Sequence, residues 1–534
     1  MFDYLIIGGG SAGCVLAARL SEDPATQVCL LEAGPRDSSV LIHCPAGLAV
    51  LAKNGQANWA FETTPQPGLN GRRGYQPRGK VLGGSSSINA MVYIRGQRED
   101  YDAWAAAGNP GWSFDEVLPY FIKSEHNERG NEGGKGAWHG QGGPLNVMDL
   151  RSPNRFGPAF VQAAHEAGYP LNPDFNGATQ EGVGPYQVTH KNGERFSAAK
   201  AYLTPALGRP NLKVITGARV QRITFEGRRA TGVEVRVDDE MHTFTARREV
   251  LLCAGAIQSP QVLMLSGVGP GAPLQSHGIS VVHELPGVGA NLHDHPDVII
   301  GKSVPGATDL FGLSLAFVPR ALRGVFEWRN RRSGMLTTNF AEAGGFIKSR
   351  PDEPRPDLQL HFVIAKLVDH GRKTQFGHGY SCHVCVLQPK SRGSVTLASA
   401  SPDAAPLINP NFLAERDDVE RLIRGFRLTR RILEQPALKR FGGTELAASA
   451  SAQSDEQIEA FIRNHADTIY HPVGSCRMGP GPMGVVDAQL RVHGVQGLRV
   501  VDASVMPQVV SGNTNAPTIM LAEKAADLIR AAWL

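Results

Sequence analysis

Residues 2–34, FDYLIIGGGSAGCVLAARLSEDPATQVCLLEAG, decide the fold. The apolar run that opens them reads as a strand, the glycines as a tight turn, and Val15, Leu16 and Leu20 as the apolar side of a helix. A second apolar run, Val28 to Leu31, completes a βαβ unit. Gly8, Gly10 and Gly13 stand in the spacing G-x-G-x-x-G between strand and helix, where glycines permit the turn, a close backbone approach to a pyrophosphate and helix-to-sheet packing. Ser11 and Ala12 open the helix, whose free amides suit an anion. Glu32 ends the second strand, with Ala33 beside it, placed to accept a hydrogen bond from a ribose hydroxyl and to disfavour a 2′-phosphate. A dinucleotide containing AMP is expected, and these features do not separate FAD from NAD.

The rest of the chain bounds that reading. Its 534 residues exceed what one core organises, so two domains are expected. Lys plus Arg at 54 against Asp plus Glu at 50 is too balanced to imply a nucleic-acid partner. The strand pattern starting at Phe2 leaves no room for a leader, and no apolar run approaches a membrane span. The cytoplasm is the expected compartment, with peripheral association at the inner membrane left open because Leu528, Ile529, Trp533 and Leu534 offer an apolar terminal helix face. Seven scattered cysteines suit a reducing compartment. Cys382 and Cys385 form one CxxC but read as alternating strand residues, and no metal site is expected.

After 211 come short β-like runs, KVITGARVQRITF, ATGVEVRV and HTFTARREVLLCAGA, an antiparallel meander returning to the parallel sheet. The Gly-rich NERGNEGGKGAWHGQGG at 127–143 reads as a loop. The middle third mixes strand patterns (LQLHFVI, CHVCVLQP) with helical ones (DVERLIRGFRLTRRILEQP) and lacks a nucleotide signature, so it is the candidate substrate domain. Leu310 to Val318 fits an apolar alcohol site, a strand or a core segment. A helix starting at Asn515 and Pro517 ends the chain.

PRGKVLGGSSSIN at 77–89, GAIQSPQVLMLSGVG at 255–269, LPGVGANLHDH at 285–295 and YHPVGSCRMG at 470–479 together resemble the glucose-methanol-choline (GMC) oxidoreductase family, nearest in look to bacterial alkane-pathway alcohol dehydrogenases and choline dehydrogenases. The resemblance spans the whole chain. It implies FAD and an α/β fold: a Rossmann-like FAD-binding domain with a β-meander, plus an α+β substrate domain with an antiparallel sheet. The division implied is 1–115, 195–295 and 465–534 for FAD, with 116–194 and 296–464 for substrate. Gly83, Gly84, Ser85 and Asn89 are implied to line the flavin and pyrophosphate, with Arg78, Gly79 and Val81 before them and Ala90, Met91 and Val92 after. Val220 is implied to meet the adenine through its backbone, and Asp502 with Ala503 to support the ribityl and phosphate region; Ala254 and Gly255 join the cofactor set. Some family members bond the flavin covalently through a histidine that here is Ile88, so the FAD should be non-covalent.

Oxidising an alcohol by hydride transfer needs a group to take the hydroxyl proton and donors for the developing alkoxide. The resemblance places His471 as the base and Asn513 as the donor. Asn515, Pro517 and Thr518 open the last helix, whose N-terminus would favour an anionic reduced flavin, although Asn515 also reads as a plain N-cap. The function implied is oxidation of a medium-chain or aromatic primary alcohol with electrons passed to a quinone or other acceptor. Choline dehydrogenase, an oxygen-using oxidase and a non-redox lyase on the same fold are the alternatives. Oligomeric state is left open.

Overall fold

Strands β1 (Phe2–Ile7) and β2 (Val28–Glu32) are apolar without alternation, and every residue but Phe2 is buried. Strands covered on both faces read this way, and helix α1 (Ser11–Leu20), which connects them, is itself almost wholly buried. The two pair in parallel, Tyr4 opposite Val28 through Ile7 opposite Leu31. Leu212–Thr216 extends the sheet beyond β2, while Glu240–Leu252 and then Leu498–Val500 extend it beyond β1, all parallel. Glu240–Leu252 changes partners along its 13 residues. Its buried end, Glu249–Leu252, lies in the parallel sheet; its exposed start pairs antiparallel with Arg229–Val237, which pairs with Ala218–Glu226. This is the expected meander. The computed structural model describes residues 1–130, 138–368, 372–373 and 375–533. Part of the Gly-rich stretch, 131–137, lies outside the described residues, as does Leu534.

A second sheet is antiparallel, in the order Thr444–Glu445, Pro296–Ser303, Gly377–Val386, Leu358–Val363, Ala341–Ile347, Gly182–Pro185. Period-two alternation divides its faces. Leu358, Leu360 and Phe362 join a core with helices Phe156–Glu166 and Arg416–Leu433, while Gln359, His361 and Val363 look the other way, toward the site described below. The chain thus has the mixed α/β fold expected. Its two largest apolar clusters are separate, one around the parallel sheet and one around the antiparallel sheet. Val117 and Phe121 of helix Phe114–Ser124 belong to the first cluster, because that helix packs on the terminal helix Asn515–Ala531.

One reading holds and two change with the structure in view. Cys382 and Cys385, three apart on one strand, face opposite sides of the sheet, and both thiols are free and buried. Ile529 is buried and the Trp533 indole, although 42% exposed, donates to Glu249 Oε1 at 2.9 Å, so the terminal helix is tied to the body and leaves open part of the Trp533 ring. Leu310 to Val318 is neither strand nor core throughout: Leu310 is buried, Phe311 and Phe317 line a cavity, and Leu315 is 93% exposed. No helix among the described residues is long and apolar enough to cross a membrane.

Candidate active site

The parallel strands end at one cavity of about 680 Å³, lined by Ile7, Leu31, Glu32 and Cys253. That edge is where doubly wound sheets take ligands. Gly8 has φ +100°, and a Cβ on it would stand 2.6 Å from the Cys253 carbonyl oxygen; a Cβ on Gly13 would stand 1.9 Å from the Gly8 oxygen. These two glycines fold the loop onto its own strands. Above Gly10 a Cβ would meet nothing nearer than Gly84 Cα at 4.0 Å, so that space belongs to the cavity. Three helices, of 10, 11 and 17 residues, begin here: α1, Gly255–Leu265 and Asn515–Ala531. The first and third have no side-chain cap, and Ser11 Oγ donates to Asn515 Oδ1 at 2.7 Å, tying their starts together. Free amides and aligned peptide dipoles converging on one space make a receptor for a pyrophosphate.

Glu32 lines this end and also builds it. Its Oε2 accepts from the Gly9 amide at 2.8 Å and its Oε1 from the Gly34 amide at 2.7 Å. Each oxygen keeps a lone pair for a ribose hydroxyl. Burial pushes its pKa up to about 7, against the two amide bonds that favour the charged form. Asp502 is likewise committed: Oδ2 accepts from the Gly255 amide at 2.8 Å and from Ser259 Oγ at 2.5 Å.

At the far end of the cavity His471 and Asn513 meet, Asn513 Nδ2 standing 3.1 Å from His471 Nε2. The ring on the other side of His471 is His295, with its Nδ1 3.1 Å from His471 Nδ1 and its Nε2 3.1 Å from the Leu387 carbonyl oxygen. A carbonyl only accepts, so His295 Nε2 carries a proton. Burial drives His295 down to about 4, so its ring is neutral and its Nδ1 is an acceptor. His471 Nδ1 must therefore donate to it. Burial first, then the neighbouring His295, His361 and Arg78, hold His471 well below the ordinary imidazole range, which leaves Nε2 unprotonated, an acceptor on the cavity wall facing the Asn513 amide. Gln359 Nε2 donates to Asn513 Oδ1 at 3.1 Å, turning the amide's NH₂ toward His471.

The backbone beneath is held as firmly. Tyr470, next to His471, takes φ +74°, a left-handed conformation costing a non-glycine residue about 1–2 kcal/mol. Arg78 Nη2 donates to its carbonyl at 2.9 Å and its amide donates to Thr468 Oγ1 at 2.7 Å. Asp294 Oδ1 accepts from the amides of both His295 and His471 at 2.8 Å, and burial raises its pKa to about 7. His293 Nδ1 donates to the Asn291 carbonyl at 2.7 Å and Nε2 accepts from the Val509 amide at 2.9 Å, anchoring the segment that carries Asn513.

Comparison with known proteins matches this architecture along the chain. Models described as GMC oxidoreductase cover residues 2–297 and 389–522. The chain belongs to the GMC oxidoreductase family. It is similar to "Alcohol dehydrogenase [acceptor]" of Pseudomonas putida, 51% identical over 99% of this chain and 96% of that protein. It is also similar to mouse (Mus musculus) "Choline dehydrogenase, mitochondrial", 46% identical over 99% of this chain and 89% of the other. Among solved structures, an FAD-dependent oxidoreductase from Chaetomium thermophilum superposes with a TM-score of 0.89 at 30% identity, covering 100% of both chains. This GMC oxidoreductase is accordingly an FAD-dependent enzyme of the kind that acts on CH–OH donors.

Most residues expected at the site of this GMC oxidoreductase line the one cavity: from Gly8 to Ala33 at the nucleotide end, Arg78, Gly79, Gly84, Ser85 and Asn89 to Val92 along its floor, and His471 and Asn513 beyond. Val220, Ala254, Gly255, Asp502, Ala503, Asn515 and Thr518 line it too. Four expected residues do not. Gly13 serves helix packing, and Val81 is buried against Ile42 and Leu51. The Gly83 amide donates to the Gly9 carbonyl at 2.7 Å, with φ +87° shaping the turn, and Pro517 is buried inside the first turn of the last helix. Thr514 occupies that helix's cap position, so Asn515 is its first residue rather than its N-cap.

His293, Asp294, His295, Gln359 and Arg195 hold the site residues in place and are not among the residues expected from the sequence. Arg195 is buried and donates to the carbonyls of Ile42, Ser86 and Asn89, clamping the glycine-serine stretch from beneath. A signal existed for three of these, since they stand together in LHDH at 292–295; Gln359 and Arg195 carry no motif.

Proposed function

We propose that this enzyme oxidises a neutral primary alcohol, medium-chain aliphatic or aromatic, to the aldehyde, and passes the electrons to a quinone or another acceptor rather than to oxygen. Bound FAD supplies the hydride acceptor. The observation that carries the reading is the chain of nitrogens His295 Nδ1, His471 Nδ1, His471 Nε2, Asn513 Nδ2, which presents one acceptor beside one donor. A hydroxyl entering between them gives its proton to His471 Nε2 and accepts from the Asn513 amide, which holds the developing alkoxide. The proton arriving at Nε2 makes an imidazolium that His295 stabilises through the Nδ1–H bond.

A neutral alcohol is favoured over choline by the wall. Glu32 and Asp502 are the carboxylates that line the cavity among the described residues, and both serve the nucleotide end. The alcohol end presents Phe311, Phe317, Phe340 and Val363 with Lys366 and Lys373, which repel a quaternary ammonium where a choline site needs a carboxylate and aromatic faces. The alcohol dehydrogenase relative at 51% identity supports the same choice. Ile88 lines the cavity and cannot bond a flavin, which supports non-covalent FAD. The two sheets with separate cores support the division into an FAD-binding region (1–115, 195–295, 465–534) and a substrate region, with Phe114–Ser124 siding with the former.

Anaerobic flavin bleaching across an alcohol panel tests this reading. Octanol-like or benzylic alcohols should bleach the flavin, choline should not, and re-admitted air should yield little peroxide. Acid precipitation should leave the flavin in the supernatant. An unbleached flavin would favour the lyase reading, and stoichiometric peroxide the oxidase.

A further inference from the structure

Between residues 310 and 332 the chain passes from cavity wall to open surface. After the turn Leu315–Phe317, helix Val318–Arg331 is seated on the protein by Gly324 and Trp328. A Cβ on Gly324 would come within 2.8 Å of Met335 Cγ, and Trp328 Nε1 donates to the Gly193 carbonyl at 2.9 Å. The opposite side is apolar: Leu315, Val318, Leu322, Val325 and Phe326 recur at helical spacing and are 93%, 51%, 67%, 52% and 63% exposed. Leu313 and Phe376, bridged to each other, continue the patch. Single exposed apolar residues are ordinary; a continuous stripe marks a docking face.

Charge flanks the stripe. Arg320, Arg323, Arg329, Arg331 and Arg332 stand against Glu327 alone between 318 and 332. Glu327 is taken by Arg323 at 2.7 Å, and Arg332 lies over Trp328 and pairs with Glu194. Arg320, Arg329 and Arg331 are exposed and make no ion pair among the described residues. A strongly amphipathic helix of low overall hydrophobicity with arginines beside its apolar face has the make-up of a helix that lies in a lipid interface.

We propose that helix Val318–Arg331, with Leu313, Leu315 and Phe376, docks this enzyme on a membrane surface containing anionic lipid, the stripe entering the headgroup boundary and the arginines meeting lipid phosphates. Charge complementarity selects lipid over a second copy of the chain. A two-fold contact would lay this helix against itself and oppose the same arginines, whereas an anionic leaflet attracts each of them. Position supports it. Leu313, Phe317 and Lys366 line the cavity, Leu313 is also half exposed, and Lys366 Nζ donates to the Phe376 carbonyl at 2.5 Å, so the docked face adjoins the cavity where its wall reaches the surface. An apolar molecule partitioned in lipid then enters without crossing water, which deepens the proposed function, although docking itself does not depend on that reading.

The test sediments the FAD-loaded enzyme with vesicles of phosphatidylcholine alone or mixed with phosphatidylglycerol. Binding is expected to the mixed vesicles and to weaken as salt screens the arginines. Leu322→Glu with Phe326→Glu should abolish it, and Arg329→Gln with Arg331→Gln should weaken it by about thirtyfold. Both variants should keep the flavin absorbance and reduction by a water-soluble alcohol, so a failure of the alcohol chemistry is read separately. Three results would each overturn the proposal: no binding to anionic vesicles, binding unchanged in Leu322→Glu/Phe326→Glu, or a lipid-free dimer that the same variant splits in sedimentation velocity.

Discussion

The glycine loop and its acid at the nucleotide end of the cavity come from one stretch of sequence, although the helix starts that join them do not; the alcohol end is made wholly by residues the chain brings from far apart. Glu32 reaches the Gly9 amide across 23 positions within a single βαβ unit. His295 and His471 are 176 positions apart, and His295 and Leu387 a further 92. The nucleotide end is largely backbone chemistry: amides, helix starts and glycines face the ligand space, with the Glu32 and Asp502 carboxylates fixing the loops that carry them. The alcohol end is side-chain chemistry, in which one proton placed on the wrong nitrogen removes the base. Robust binding and fragile catalysis should therefore separate under mutation.

The largest separation should come from His471→Ala, which keeps the bound flavin yet slows anaerobic reduction by alcohol about a hundredfold or more in stopped-flow measurements. Reduction at the wild-type rate would place the base elsewhere. Asn513→Ala should follow, with an oxyanion-type loss of about 2–4 kcal/mol at most in the same measurement and an unchanged FAD dissociation constant.

Glu32→Ala should show the reverse pattern: FAD binding weakened by roughly 1.5–3 kcal/mol in a fluorescence titration, with the limiting reduction rate of the loaded enzyme unaltered. Because Glu32 also holds the Gly9 and Gly34 amides, part of that loss is disorder of the loop. A changed limiting rate would mean the two ends are not independent.

The smallest effect sharpens the comparison. His295→Leu removes the acceptor for His471 Nδ1–H and should slow reduction by about tenfold, the worth of one hydrogen bond that fixes a tautomer. His295→Gln, able to accept from His471 and donate to Leu387, should recover most of the rate. An ordinary catalytic histidine would make the wild-type rate climb through pH 6.5. Here burial lowers the pKa of His471, so the proton leaves Nε2 at lower pH; the rate should stay flat from neutral pH down through 6.5 and fall only below. His295→Leu should move that fall. A titration at 6.5 in the wild type would contradict the tautomer assignment.

What could be read from residues alone followed from short-range sterics. The βαβ unit, the meander and the terminal helix are legible because periodicity and glycine placement act within a few residues, and the spacing of Gly8, Gly10, Gly13 and Glu32 itself shapes the loop that borders the cavity. His471 and Asn513 were reachable only through family resemblance, since nothing local distinguishes them among 17 histidines and many amides. Tertiary structure alone decided that His295 fixes the tautomer, that Gln359 orients Asn513, that Asp294 binds the distant His471 amide along with that of its neighbour His295, and that Leu315, Leu322 and Phe326 face outward instead of into a core. Hydrogen-bond roles depend on which partner sits opposite each nitrogen, and exposure depends on which face the rest of the chain covers. Both are set by contacts between segments hundreds of residues apart, on which local sequence carries no information.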